Sequence, residues 1–390
     1  MTFRLNNKMP KTFVLAPDSF KESMSAVEAC RAMQTGISRI FPDACFIHVP
    51  MADGGEGTVD ALLLAREGQR ISFEVTGSFY PDKVQADFAL IDHGKTAVIE
   101  MAQANGLDLL RPEQRNPLLT TTFGTGELIR AALDYDVDKI IIGLGGSATN
   151  DAGAGMAQAL GVRFFNADGQ ILAKGMSGGQ LQQIEQIDVT ELDPRLQHVE
   201  ILIASDVSNP LVGETGASAV FAPQKGATPD MVRQLDENLR YFAKKIQQAC
   251  QLDLAQVTGA GAAGGLAAGL MAFTGARLHS GVELVIEQTE LAKHIACADY
   301  VFTGEGGIDF QTQFGKTPLG VAKVTKQFNK PVFACAGYVG KGIETLYSEG
   351  FTAIFGILDG CCDLATACQH GQENLARTCE NIARILKIYD

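Results

Sequence analysis

The sequence predicts an α/β protein of two domains, one of which is discontinuous. Short apolar runs alternate with amphipathic helical patterns at both ends of the chain, which is typical of strand–helix–strand units on a parallel sheet. Each end carries only about three such strands, fewer than a well-covered sheet needs. We therefore expect residues 1–75 and 288–390 to form one domain, with residues 76–287 inserted as the second.

The two ends of the chain carry the clearest element signals. Strands are predicted at 12–17, 45–50, 71–75, 299–304, 331–337 and 351–358. Ser25 and Glu28 have capping-box spacing, so we expect a helix from there to about residue 40. The glycine-rich ADGGEG (52–57) opens a second helix, and a final amphipathic helix covers about 371–388.

The middle of the chain is mixed. A hairpin of half-exposed strands is expected around His93 and Gly94. The other elements predicted here are helices at 124–135, 151–161 and about 229–250 and strands at 138–144, 201–207 and 217–223. Residues 254–276 carry no charge, but they are mostly Gly and Ala, which contribute little to membrane insertion. A glycine-rich loop leading into a packed helix explains them better, and no membrane partner is expected.

Composition excludes some classes of protein. A hydrophobic fraction of 46% indicates a folded globular chain, and a net charge of -13 argues against a nucleic-acid partner. The nine cysteines are scattered and odd in number, and no signal peptide is recognisable, so we expect reduced thiols in a cytoplasmic protein. The group Cys361, Cys362, Cys368 and His370 lacks paired zinc-ligand spacing, so ordinary thiols are preferred there.

Seven polar or glycine-rich stretches follow apolar runs. They are APDSFKES (16–23), MADGGEGT (51–58), TTFGTGEL (121–128), GLGGSATND (143–151), SDVSNPLVG (205–213), GAGAAGG (259–265) and TGEGGIDFQTQFGK (303–316). In open α/β sheets, ligands bind beyond the carboxyl ends of the strands. We therefore expect several of these loops to form one site.

The stretch GLGGSATNDAGAG (143–155) has the form of an anion-binding loop. A strand, a glycine-rich turn and a helix N-terminus offer free N–H groups to a phosphate, with Asn150 or Asp151 as the expected helix cap. No Lys follows in the Walker A position, so a cation must come from elsewhere. A tight capped turn without a ligand is the alternative.

A second glycine-rich motif, GAGAAG (259–264), matches G-x-G-x-x-G, but the segment before it is too short and polar for a buried first strand.

Charged residues in these loops provide the chemistry. Asp206, Glu305 and Asp309 follow strong strands, where a carboxylate has little structural purpose, so a functional role is favoured. For Glu56 and Glu127 the alternative is compensation of a helix dipole, and for Asp18 it is an Asx turn. The candidate cations are Lys21, Lys225, Arg277 and Lys316. For Lys225 a solvated surface position explains the residue equally well.

Taken together, the motifs resemble those of the bacterial class I glycerate kinase family. They are APDSFKES, ADGGEGT, GTGEL, GGSATNDAGAGMAQALG, SDVSNPLVGETGAS, FAPQKGA, GAGAAGGL and TGEG followed by GK-P-GVA, in the same order from residue 13 to about 325. The resemblance implies ATP-dependent phosphorylation of D-glycerate with Mg²⁺, in organic-acid and glyoxylate breakdown. It also implies a Rossmann- or flavodoxin-like domain beside a second α/β domain, with an active-site cleft between them.

The chain departs from the family pattern at two positions. The family usually reads TGEG-Arg-x-Asp, whereas this chain has Gly307 at the Arg position, and Phe314 stands where His is common. A guanidinium there would clamp a carboxylate or phosphate, a role that Lys316 would take over as a point charge.

Site roles follow from the chemistry of in-line phosphoryl transfer. We expect Asp309 to be the base, Lys21 and Lys316 to hold anionic groups, and Asp206 and Asp53 to bind Mg²⁺. The nucleotide-binding residues are expected to be Gly145, Gly146, Ser147, Asn150, Gly304 and Glu305. The resemblance favours 2-phosphoglycerate over 3-phosphoglycerate as product, and a monomer or homodimer is expected. A catalytically silent glycerate- or nucleotide-binding protein and an NAD-dependent hydroxy-acid dehydrogenase remain alternatives.

Overall fold

The computed structural model describes residues 10–389, which divide into two compact units. Of the described residues, unit 1 takes in 10–53, 60–65 and 282–389, and unit 2 takes in 54–59 and 66–281. The two ends of the chain thus share one unit. The domain boundaries expected from the sequence, 1–75 with 288–390 and 76–287, remain a proposal.

The strands of the described residues are β1 (Thr12–Leu15), β2 (Cys45–His48), β3 (Gly68–Thr76), β4 (Lys83–Ile91), β5 (Thr96–Glu100), β6 (Lys139–Gly143), β7 (Arg163–Phe165), β8 (Gln186–Asp188), β9 (Glu200–Ala204), β10 (Arg277–His279), β11 (Tyr300–Ile308), β12 (Val332–Val339) and β13 (Ala353–Gly356). Three sheets hold them, with five, six and two strands.

The α-helices are α1 (Ala26–Ser38), α2 (Thr58–Ala65), α3 (Ala102–Asn105), α4 (Phe123–Leu133), α5 (Ala154–Ala159), α6 (Ala217–Phe221), α7 (Pro229–Cys250), α8 (Leu266–Thr274), α9 (Gly281–Gln288), α10 (Leu291–Cys297), α11 (Thr317–Gln327), α12 (Leu364–Gln369) and α13 (Gly371–Ile388). The predicted capping box of Ser25 and Glu28 is present at the start of α1.

Unit 1 is built on a fully parallel sheet with the order β13-β12-β11-β1-β2. Counted within the unit, this order is 2-1-3-4-5, the flavodoxin-like arrangement that the resemblance implied. Its topological switch point lies between β1 and β11, where such sheets bind their ligands. The unit's chemistry is therefore expected at the carboxyl ends of those two strands.

Both faces of this sheet are covered, as a parallel sheet requires. Alternate residues of β1 point to opposite faces, so Phe13 and Leu15 join one core and Val14 joins the other. Helices α1 and α13 cover the first face, where Met33 and Cys379 are fully buried. Helices α10 and α11 cover the second. Burying both faces fixes the ends of β1 and β11 rigidly.

Unit 2 contains a mixed sheet with the order β10-β9-β6-β5-β4-β3, in which β5, β6, β9 and β10 are parallel. Strands β3 and β4 are antiparallel, with Ile71 opposite Phe88. Strand β3 was expected in the first domain. It pairs instead in this second sheet, where Val75 joins the core.

Two further local expectations are wrong. Residues 217–223, predicted as a strand, contain the short helix α6 (Ala217–Phe221), which Gly216 precedes as N-cap residue and in which Ala217 and Ser218 are buried. The strands around His93 and Gly94 are largely buried and not half-exposed, since α3 and α4 pack on them. A left-handed φ of 57° at His93 makes the turn between them.

Residues 254–276 form a loop, a short 3-10 turn and the buried helix α8, as expected. Leu266 and Leu270 of this helix lie in the core of unit 2. In the described part of the chain, no helix combines the length and the apolar character that crossing a membrane requires.

Candidate functional site

Three carboxylates of unit 1 interact electrostatically near the switch point of its sheet. Asp18 follows β1, Asp53 follows β2, and Glu305 lies within β11. The backbone N–H of Asp18 donates to the carbonyl of Gly304 at 2.8 Å, which ties the loop after β1 to β11. We call Asp18, Asp53 and Glu305 the carboxylate cluster.

Asp18 is held in place by short hydrogen bonds. The Thr317 hydroxyl donates to its Oδ2 at 2.6 Å, and the Ser19 N–H donates to its Oδ1 at 2.6 Å. Its exposed fraction is only 9%. Burial, with the charge of Asp53 adding to it, raises the pKa of Asp18 to about 6, although these hydrogen bonds and Lys21 oppose the shift. Asp18 therefore titrates close to neutral pH.

Glu305 pairs with a lysine, yet its pKa is also raised. Lys316 Nζ lies 3.2 Å from Glu305 Oε1 and donates to the Gly307 carbonyl at the same distance. Burial raises the pKa of Glu305 to about 7; Lys316 opposes the shift, and the charges of Asp18 and Asp53 add to it. The Lys316 ammonium thus lies beside Gly307, the position where the family usually carries an arginine.

Asp309 and Lys21 lie on the neighbouring loops of unit 1. The Asp309 carboxylate accepts the Gln311 N–H at 2.8 Å and caps a short 3-10 turn, while the Thr312 hydroxyl accepts the Asp309 N–H. This local structural role competes with the expected role as base. Lys21 is exposed, and its backbone N lies 3.6 Å from the position that a Cβ on Gly306 would take.

Two glycines of β11 have opposite steric surroundings. A Cβ on Gly304 would lie 2.1 Å from the carbonyl oxygen of Cys335, so only glycine fits there. A Cβ on Gly307 would meet nothing nearer than Tyr338 O at 3.9 Å. Gly304 is thus explained by strand packing, whereas packing does not require Gly307.

In unit 2, the predicted anion-binding loop follows β6. Gly146 adopts a left-handed φ of 72°, and a Cβ on Gly145 would lie 2.5 Å from Gly55 Cα. Helix α5 begins only at Ala154, with Gly153 as its N-cap. The helix therefore begins several residues after Gly146 in the chain, and its N-terminus is not part of the turn at Gly145 and Gly146.

The exposed turn of this loop retains free donors. The Gly146 carbonyl accepts the Leu107 N–H at 2.7 Å, and Ala148 N–H donates to Asn105 at 2.9 Å. Among the described residues, no acceptor takes the backbone N–H groups of Gly146 and Ser147. Successive free N–H groups around a left-handed residue form an anion-binding concavity. The loop can thus hold a phosphate through its backbone.

Neither Asn150 nor Asp151 is the N-cap residue of α5, which is Gly153, but the Asp151 carboxylate accepts an N–H of the first turn of that helix. Asp151 is fully buried and accepts hydrogen bonds from both the N–H and the hydroxyl of Thr122 at 2.8 Å, from Gly153 N–H at 3.1 Å and from Gly155 N–H at 3.2 Å. Burial raises the pKa of Asp151. Asn150 Nδ2 donates to Ser218 at 3.0 Å, while its buried Oδ1 has no partner. Both side chains hold the loop from inside.

Lys225 lies beneath the same loop. Its Nζ donates to Ser147 Oγ at 2.8 Å and to the Thr149 carbonyl at 2.7 Å. Its exposed fraction is 1%, so the surface explanation considered from the sequence is wrong. Burial lowers the pKa of Lys225 to about 7, and the charge of Asp151 opposes this shift.

The two residues expected to bind Mg²⁺ lie in different units. Asp53 is exposed in unit 1, and in unit 2 Asp206 Oδ1 accepts Ser280 Oγ at 2.6 Å and Gly281 N–H at 3.2 Å. Across residues 10–389, no group of three or more His, Cys, Asp and Glu side chains is arranged to hold a metal ion. Mg²⁺ that arrives with nucleotide phosphates needs only one or two carboxylates. The mutual repulsion in the carboxylate cluster fits a cation of that kind.

Other sequence candidates do not form sites. The element before GAGAAG (259–264) is helix α7 and not a strand, so the dinucleotide pattern lacks its context. Each of the nine cysteines, all within residues 10–389, is a free thiol. A cavity of about 780 Å³ in unit 2, lined partly by Tyr80, Phe123 and Arg195, contains none of the residues predicted for the site.

A sequence model described as the glycerate kinase family matches residues 13–387. The chain therefore belongs to the glycerate kinase family, and it is an enzyme of the kinase class.

Individual relatives agree. A glycerate kinase of Haemophilus influenzae is 50% identical over 374 residues, covering 96% of this chain and 98% of the relative. Glycerate 2-kinase of Escherichia coli is 48% identical over 375 residues, covering 96% and 98%. A crystal structure described as that of a putative glycerate kinase 2 from Salmonella typhimurium LT2 superposes with a TM-score of 0.84 at 46% identity, covering 97% of this chain and 98% of that one.

Sequence reasoning gave too little weight to three residues. For Asp18 an Asx turn was the alternative explanation, for Lys225 a surface position was thought an equally good one, and Thr317 was overlooked. The sequence signal for Lys225 was its motif FAPQKGA, which lies outside the strand-end loops. Thr317 directly follows Lys316, but its bond to Asp18 spans 299 positions and leaves no local trace.

Proposed function

We propose that this enzyme transfers the γ-phosphoryl group of ATP to the 2-hydroxyl of D-glycerate and forms 2-phosphoglycerate. The observation that carries the proposal is the 48% identity over 375 residues to a relative named glycerate 2-kinase. The flavodoxin-like order of the unit 1 sheet supports it, because polar groups gather at the switch point of that sheet.

We assign the acceptor chemistry to unit 1. A base that activates a hydroxyl works best when its pKa lies near the operating pH. The raised pKa of Asp18, about 6, supports Asp18 in this role ahead of Asp309, whose carboxylate caps a turn. Lys316, with Lys21, is proposed to hold the substrate carboxylate, and Gly304 and Glu305 keep the end of β11 in shape for the nucleotide.

We assign phosphate binding to the loop of unit 2. The free N–H groups of Gly146 and Ser147 support this role, with Gly145 giving the close backbone packing that shapes the turn. Asn150 supports the loop from its buried side. Asp53 and Asp206 remain the proposed Mg²⁺ contacts; the ion neutralises charge on the phosphates when bound.

The proposed setting is a reducing cytoplasm in which organic acids are broken down to phosphoglycerate. Nine free thiols, of which Cys45, Cys297, Cys361 and Cys362 are exposed, support a reducing compartment. A carboxylic acid substrate needs a cation to hold it, and Lys316 beside Glu305 provides one.

The proposal is tested by phosphorus NMR on the protein with D-glycerate, ATP and Mg²⁺. A new phosphomonoester signal split by a single proton identifies the 2-phosphate, because carbon 2 carries one hydrogen and carbon 3 carries two. A signal split by two protons would instead establish 3-phosphoglycerate as the product. If ATP binds but no new signal appears, the alternative of a catalytically silent binding protein is favoured. An absorbance change on adding NADH would favour the alternative of a dehydrogenase.

A further inference from the structure

Lys225 is the one lysine among the described residues that the fold buries almost completely. It ends a short 3-10 turn, Pro223–Lys225, and reaches residues 147 and 149 of the anion-binding loop, 78 and 76 positions away. A buried charge is costly unless it is well satisfied, so this placement calls for an explanation.

When Lys225 is charged, the hydrogen-bond roles around it are fixed by chemistry. An ammonium group only donates, so the Ser147 oxygen must accept from it. The proton of the Ser147 hydroxyl is then left for another acceptor, and the described chain provides none. Ser147 is 8% exposed and follows the exposed Gly146. With the two free N–H groups, the turn offers three unused donors within two residues.

The charge of Lys225 is not matched by a direct ion pair. Asp151 is the carboxylate whose charge acts on it, but hydrogen bonds from Thr122, Gly153 and Gly155 already engage that carboxylate. Among residues 10–389, no carboxylate oxygen lies within ion-pair distance of Lys225 Nζ. A phosphate oxygen at the turn would supply the missing negative charge.

We propose that Lys225 is the positioning cation of the loop 143–151. Its ammonium holds Ser147 and Thr149 so that the Ser147 hydroxyl donates to a phosphate oxygen of ATP. A Walker A loop contains its own lysine, whereas here the lysine comes from a distant part of the chain and lies on the buried side of the loop. The inference rests on the proposed function, since it takes ATP as the ligand of this loop.

The test measures the Kd of Mg·ATP by calorimetry for Lys225→Met, Ser147→Ala and the double variant. Each single change is expected to weaken ATP binding about tenfold, the effect of losing one hydrogen bond to a charged group. Because both residues act through one contact, the double variant is expected to bind no more weakly than the weaker single variant. The KM for D-glycerate should change less than about twofold.

Two further variants serve as controls. Lys244→Met removes an exposed lysine of α7 and should leave the Kd of Mg·ATP unchanged. Ser147→Thr keeps the hydroxyl and should bind ATP more tightly than Ser147→Ala. If Lys225→Met fails to fold in circular dichroism, the Ser147 pair still decides the matter with Lys225 intact.

Unchanged ATP affinity in Ser147→Ala would overturn the inference, as would a double variant whose effect is the product of the two single effects. The proposed function fails separately: wild-type protein that binds ATP but yields no phosphoglycerate refutes the kinase reaction, while the Kd series still decides the role of Lys225. Wild-type protein that does not bind ATP refutes both.

Discussion

At the residue scale, burial sets the chemistry of the charged groups. Asp18 and Glu305 lose water on folding, which raises the pKa of both, and the loss of water lowers the pKa of Lys225. All three groups therefore titrate near neutral pH, where proton transfer and anion binding take place. Perturbed groups of this kind are typical of functional sites.

The choice between Asp18 and Asp309 as base can be tested by Asp18→Asn and Asp309→Asn. We expect Asp18→Asn to lower kcat by about 10²- to 10³-fold, since it removes the proton acceptor. Asp309→Asn should lower kcat less than about fivefold, because an amide oxygen still caps the turn. Steady-state kinetics at saturating ATP and D-glycerate provide the measurement. A larger loss in Asp309→Asn would restore the role expected from the sequence.

Gly307→Arg should be tolerated and should tighten substrate binding. A Cβ at this position would make only ordinary van der Waals contacts with Tyr338, and a guanidinium beside Lys316 adds a bidentate donor for a carboxylate. We expect the KM for D-glycerate to fall severalfold with little change in thermal stability. Gly304→Ala is the matched control, since its Cβ would meet Cys335 O at 2.1 Å and should destabilise the protein. An unchanged or raised KM in Gly307→Arg would show that Lys316 alone suffices.

At the element scale, the functional loops depend on how closely neighbouring elements approach. Helices α1 and α13 cover one face of the unit 1 sheet, and Gly36 lies where they meet. A Cβ there would lie 2.0 Å from the carbonyl oxygen of Ala376 and 3.0 Å from the backbone N of Glu380. Only a glycine allows the two helices to pack at this distance.

Gly36→Ala should therefore destabilise unit 1 although alanine is the better helix former. We expect a loss of about 2 kcal/mol or more, since overpacking outweighs the gain of about 1 kcal/mol in helix propensity. Thr35→Ala, at the exposed neighbouring position, should change stability by less than about 0.5 kcal/mol. Urea unfolding followed by circular dichroism measures both. A stabilised Gly36→Ala would mean that the helices can move apart without cost.

At the scale of the whole molecule, the negative net charge disfavours ionisation of the carboxylate cluster. The chain carries a net charge of -13, and the cluster adds local repulsion to that field. A carboxyl whose pKa is raised on folding stabilises the protein while it is protonated. For Glu305 this contribution is complete below about pH 4.5 and is lost as the pH rises through about 7.

Glu305→Gln removes this pH dependence because glutamine stays neutral. Relative to wild type, the variant should gain about 3 kcal/mol in unfolding free energy between pH 5 and pH 8, since one pKa unit corresponds to about 1.4 kcal/mol. Denaturant unfolding of both proteins at the two pH values, without Mg²⁺ or nucleotide, gives the difference. A difference that is the same at both pH values would contradict the raised pKa.

Part of the site was predictable because strand ends have a local signature. Glycine-rich stretches after apolar runs identified Ser147, Asp53 and Glu305 as residues of functional loops. For Asp18 a turn was an alternative that the sequence left open, because its partner Thr317 lies 299 positions away. The segment 217–223 was misread because an apolar run this short fits a strand as well as a helix.

By itself, the sequence determined the alternation of strands and helices, the capped start of α1 and the family to which the chain belongs. These features depend on hydrophobic periodicity, caps and motif order, which act over a few residues. Only the tertiary structure decided that β3 pairs in the second sheet and that Lys225 is buried beneath Ser147. Burial and charge interactions join residues far apart in the chain, so they follow from the complete fold and not from any local pattern.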